Sequence, residues 1–132
     1  MKFYEYEYTT FNGETKILKL RLVSSDMKTI EKTTKTKLLD YVADYSITAI
    51  TNLLRYMSRP AIPNFSEKDA ETLYDELVDS GLTIENIVQD VIMETLVVSG
   101  FMKKEELDEV KEVARERKKE KLEERKNPSN MD

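Results

Sequence analysis

The chain has 132 residues, of which 39% are hydrophobic and 36% charged, with a formal net charge of −5. That length supports one modest core, and the charge exceeds what a packed domain of this size carries. Histidine and cysteine are both absent, which excludes disulfides, cysteine-based zinc sites and every triad that needs an imidazole base. The acidic balance argues against a generic nucleic-acid binder, because phosphate contacts need a basic footprint. The first ten residues hold no apolar signal-peptide core, and no run approaches 18 apolar residues, so the sequence reads as a soluble intracellular protein.

The first 23 residues read as a β-hairpin. Tyr4, Tyr6 and Tyr8 alternate with Glu5 and Glu7, and Leu18, Leu20 and Leu22 alternate with Lys19 and Arg21. Asn12-Gly13 marks the turn. A two-residue loop would set the leucine face against Glu5 and Glu7. A three-residue loop through Phe11, Asn12 and a left-handed Gly13 sets Tyr4 against Leu20 and Tyr6 against Leu18. One apolar face then forms, so the sidedness selects the bulged register.

Helical spacing begins after Val23. Ser25 or Asp26 is the expected cap of a helix carrying Met27 and Ile30, and Thr33 to Thr36 predict a break. Leu38, Leu39 and Val42 form a short apolar patch, with Tyr41 and Tyr45 beside them. Ser46 caps a helix whose Ile47, Ile50, Leu53, Leu54 and Met57 follow an i, i+3, i+4, i+7 stripe. Pro60 and Pro63 end it. Ser66 and Asp69 read as a capping box for a helix carrying Ala70, Leu73, Tyr74, Leu77 and Val78, stopped by Gly81. Thr83 opens the most apolar helix, through Ile84, Ile87, Val88, Val91, Ile92 and Leu96, and Ser99-Gly100 closes it. That helix is expected at the centre.

The character changes after Met102. In residues 103–126, 19 of 24 side chains are charged. Leu107, Val110, Val113 and Ala114 give a stripe two turns long, and from Arg115 onward nothing is expected to hold the helix to the body. Residues 127–132 are expected to be disordered. The reading is therefore α+β and mostly α: a hairpin on four to five helices in residues 1–102, then a charged helical extension and tail in 103–132. Charge is also segregated, with a balance of +3 over residues 1–59, from ten basic and seven acidic residues, and −8 over 66–99, from one basic and nine acidic.

Paired carboxylates are the only catalytic constellation that the composition permits. Asp75, Glu76 and Asp79 share one helix, and Asp90 and Glu94 stand at i, i+4 on another. Di-metal helical sites normally add histidine, so a solvated acidic face is the preferred reading, with no enzyme activity, metal or cofactor expected. No phosphate-binding loop is present. The tyrosine row is expected to be a buried hairpin face rather than a stacking platform for single-stranded nucleic acid.

The order of segments resembles the small tail assembly chaperones of long-tailed bacteriophages and prophages. The resemblance rests on Lys19-Leu20-Arg21-Leu22, Ile30-Glu31-Lys32, Leu38-Leu39-Asp40, the Leu53 to Tyr56 run, Tyr74-Asp75-Glu76-Leu77 and Ser99-Gly100-Phe101, in that order over residues 16–101. Where the family commonly has Gly between its first two helices, this chain has Thr34, which puts that turn in question. The resemblance implies a non-enzymatic chaperone that binds the tape measure protein, keeps it soluble, and promotes polymerisation of tail tube protein around it. It also implies self-association, action in the cytoplasm of the infected or lysogenic host, and absence from the mature virion, with no nucleic-acid or membrane partner. Opposite charges on residues 1–59 and 66–99 suggest head-to-tail stacking of copies. A client helix needs an apolar groove with charged rims. Tyr56, Met57, Phe101 and Leu107, apolar groups at helix ends, are the expected partner-binding residues. The alternative is a small phage or bacterial regulator that binds one protein through its charged C-terminal helix.

Overall fold

A computed structural model describes residues 1–126. Strand β1 (Tyr4–Thr9) pairs antiparallel with β2 (Thr15–Leu20), with Tyr4 opposite Leu20 and Tyr6 opposite Leu18. The loop is the three-residue one: Thr10 N–H donates to Glu14 O at 2.8 Å, and Gly13 takes a φ of 87°. Sidedness alone therefore selects the register, because the alternative would bury glutamates.

Helix α1 (Ser24–Thr34) starts one residue before the expected caps. No side chain caps it; the Val23 carbonyl instead accepts from the Asp26 and Met27 amides, both at 3.1 Å. The Thr-rich break falls at Lys35, which adopts the left-handed conformation usually left to Gly or Asn. Thr34 is thus the last helical residue, and its hydroxyl donates back to the Ile30 carbonyl at 2.7 Å. Helix α2 (Leu38–Ala43) and helix α3 (Ile47–Ser58) follow, and Ser46 caps α3 as expected by accepting from the Ala49 amide. Helix α4 (Glu67–Asp79) carries the reciprocal Ser66–Asp69 capping box.

The central helix spans 84–98, opened by a second box in which Thr83 and Asn86 cap one another. Only its ends are α-helical; Ile87–Met93 is π-helical, an irregularity that hydrophobic periodicity does not announce. Gly100 ends it with a φ of 86°, and Phe101 N–H closes on the Leu96 carbonyl at 2.9 Å. The C-terminal helix runs over Lys104–Lys126.

The hairpin, α1 to α4 and the central helix close around one core that includes Leu20, Leu22, Leu54, Leu77, Ile92 and Leu96. Arg21 ties the hairpin to that core. Its amide donates to the Met57 carbonyl at 2.9 Å, and its guanidinium reaches the Val98 carbonyl at 3.2 Å, where a cation suits the helix C-terminus. Leu107 belongs to the same core, with no exposed surface. The start of the C-terminal helix, beyond residue 102, is thereby packed into that core. The expected disorder of 127–132 lies outside the described residues.

Candidate functional site

An open groove of about 890 Å³ lies between α2, the central helix and the C-terminal helix. Its floor is Met93 and Gln89, and its apolar walls include Leu39 on one side and Val110 and Val113 on the other. Asp40, Glu85 and Glu109 give it an acidic rim, and Arg117 and Lys121 a basic one. Val113 is 47% exposed and Leu39 is 41% exposed, so both present apolar surface to the opening.

Three local irregularities meet at the floor. Gln89 lies inside the π-helical segment and is 8% exposed, a polar side chain where a regular apolar helix would place an aliphatic one. Its amide donates to the Tyr45 hydroxyl at 3.2 Å. Tyr45 has a φ of 55°, a strained choice for a non-glycine residue. Buried amides need partners, so this bond fixes the loop after α2 over the central helix. Strain and π-helical turns both concentrate at binding surfaces.

Charge fastens the far wall. Lys111 lies 2.8 Å from Glu94 and 3.4 Å from Asp90. The i, i+4 carboxylates thus enclose a lysine ammonium. Burial works against the Lys111 charge, but the two carboxylates outweigh it and hold Lys111 above the ordinary lysine range. Lys118 reaches Glu85 at 3.6 Å, so the helix beyond Arg115 does touch the body, contrary to expectation. A sparse polar bridge holds it where apolar periodicity has ended.

The tyrosine row faces the body. Tyr6 and Tyr8 rings stack at 6.4 Å, and the Tyr4 hydroxyl donates to the Asp90 carbonyl at 2.8 Å. Burial and then the Glu94, Tyr6 and Asp90 charges push Tyr4 up to about 12. Tyr8 donates to Glu76, which also pairs with Lys16 at 3.1 Å. The Tyr8 bond and Lys16 hold the Glu76 carboxyl below its ordinary value against a smaller opposing effect of burial. Lys16 and Glu76 also set part of the basic and acidic segments against one another inside one molecule. Ringed by carboxylates, this face suits packing rather than phosphate.

The four expected partner residues do not form one surface. Met57 and Leu107 have no exposed surface and serve the core, a correction to reading them as contacts. Tyr56 is half-buried, with the Arg55 guanidinium 4.7 Å from its ring centre. Phe101 is half-buried at the end of the central helix. Groove residues Gln89 and Met93 were not singled out in the sequence, whereas Val113 was read there as part of the Leu107 stripe. No helix among the described residues is long and apolar enough to cross a membrane. No family model matches the chain, and neither a curated protein nor a solved structure matches it.

Proposed function

We propose that this chain is a non-enzymatic tail assembly chaperone of a long-tailed bacteriophage or prophage. In this reading it holds helices of the tape measure protein in the groove beside its C-terminal helix and helps tail tube protein polymerise around that client. The groove carries the proposal: it has apolar walls in Leu39, Val110 and Val113, charged rims of both signs and an opening to solvent. An amphipathic helix buries its apolar stripe in such a channel while its flanks meet the rims. The wall from Glu106 to Lys121 runs ~22 Å, about four helical turns, which is enough to read a client stripe. The resemblance over residues 16–101 supplies the identity of the client, and action in the host cytoplasm follows from it.

Co-expression with the tape measure protein from the same genome, with purification on one tag, tests the reading. Several copies of this chain per client, and a client soluble only in its presence, are expected. Equal client solubility with and without the chain, and no co-purification, would contradict it and favour a regulator acting through the C-terminal helix.

A further inference from the structure

On the face that the C-terminal helix turns to the groove, charges come in blocks. Glu106 and Glu109 stand at one end, Arg117, Lys118 and Lys121 at the other, and Val113 and Ala114 between them. Within one helix this order is unfavourable, since like charges become i, i+3 or i, i+4 neighbours. Elsewhere on the same helix the pattern is different: Arg115 pairs with Glu112 at 3.5 Å, and Lys104 with Asp108 at 3.5 Å. Among the described residues, Glu106, Glu109, Arg117 and Lys121 take part in no ion pair.

We propose that a second copy of this chain lays its C-terminal helix antiparallel across the groove, forming a two-fold dimer. An axis between Val113 and Ala114 sends the lining face of the helix onto itself. Glu106 meets Lys121 of the other copy, Glu109 meets Lys118, Val110 meets Arg117 and Val113 meets Ala114. Acid therefore meets base at both ends, and small apolar side chains meet at the axis. The Arg117 stem covers Val110 while its charged head stays in solvent. Each contact occurs twice in an isologous interface, so two complementary pairs become four. A parallel arrangement stacks glutamate on glutamate and lysine on lysine, which selects the antiparallel one. The exposed Val113 and Leu39 surfaces gain cover from the same helix.

This dimer does not depend on the chaperone reading, because it uses only the chain's own helix. Where both hold, a client helix and the second copy compete for one groove, and client binding separates the dimer.

Sedimentation equilibrium of the full chain, alone and at low salt, tests the proposal. A dimer is expected that weakens as salt rises. Glu106→Lys and Lys121→Glu each place like charges opposite one another twice, and each is expected to weaken dimerisation about tenfold or more. The Glu106→Lys/Lys121→Glu double variant restores complementarity and is expected to recover the dimer. Far-UV circular dichroism confirms that each variant folds, and recovery in the double variant separates lost pairing from lost folding. A monomer at ~100 μM in low salt, single variants that associate as tightly as the parent, or a double variant no tighter than the singles would overturn the proposal. The tape measure protein is absent from this experiment, so its failure and that of the chaperone reading are distinguishable.

Discussion

The central helix and the C-terminal helix lie side by side and are held by different physics. In residues 84–98 the π-helical segment is buried on nearly every side, with Ile87, Val88, Val91 and Ile92 wholly inside. Among the described residues the C-terminal helix buries one side chain completely, Leu107, packs Val110 against the same core in part, and adds lysines reaching carboxylates of its neighbour. Burial of apolar surface fixes the first helix almost regardless of salt or pH. The second is fastened at its start and progressively released along its length, leaving its later turns to form a groove wall. One helix specifies the fold, and the other walls the groove.

The largest expected effect comes from breaking the fully buried apolar fastening of that helix. Leu107→Ala is expected to cost about 2–5 kcal/mol in denaturant unfolding, because no exposed position can absorb the cavity. A cost near that of a surface substitution would mean that the C-terminal helix stands apart from the core. Lys111→Met keeps the aliphatic stem but leaves Asp90 and Glu94 without their shared cation. Lys104 remains 3.4 Å from Glu94, so the expected loss is smaller, about 1–2 kcal/mol. High salt is expected to diminish it, and an effect independent of salt would assign Lys111 to packing.

Glu76→Gln sharpens the comparison on the opposite face, where the hairpin meets α4. Solvent screening limits the expected loss at neutral pH to about 1 kcal/mol. The folded carboxyl titrates below its ordinary value of 4.5, so its contribution is present above pH 4.5 and lost as pH falls through the lower folded value. The difference between parent and variant should vanish in that acid window; persistence there would show that the carboxylate is not its source. Tyr8, raised from an ordinary 10.0 first by burial and then by the Glu76 bond, has the opposite sign. Its contribution is present below pH 10 and lost as pH rises through the folded value. Lys118→Ala is the smallest perturbation, within about 0.5 kcal/mol, since its pair with Glu85 is solvent-exposed. Amide exchange near Lys118 should nevertheless quicken, because among the described residues that bridge is the ion pair that ties those turns to the body.

Local chemistry made much of the fold legible. Opposite faces of Tyr4 to Tyr8 and Leu18 to Leu22 set the hairpin register, while Ser46, Ser66 with Asp69, Thr83, Gly81 and Gly100 marked helix ends through hydrogen bonds that each residue makes nearby. The start of α1 was missed because a backbone carbonyl, rather than Ser25 or Asp26, satisfies its first amides. The groove was harder to see. A π-helical segment arises from how a helix packs among its neighbours, and the left-handed Tyr45 is sustained by a bond to Gln89, distant in sequence. Met57 and Leu107 show the converse limit: an apolar residue at a helix end looks the same in sequence whether a partner or the core covers it.

The most direct test compares two exposed valines on different helices. Val113 faces the groove, whereas Val78, 41% exposed on α4, lies outside it. The amount of tape measure protein co-purifying with Val113→Glu and with Val78→Glu can be measured side by side, with both variants checked for folding. The account predicts that Val113→Glu loses the client and Val78→Glu retains it. Equal retention by both variants would contradict the groove as the client site.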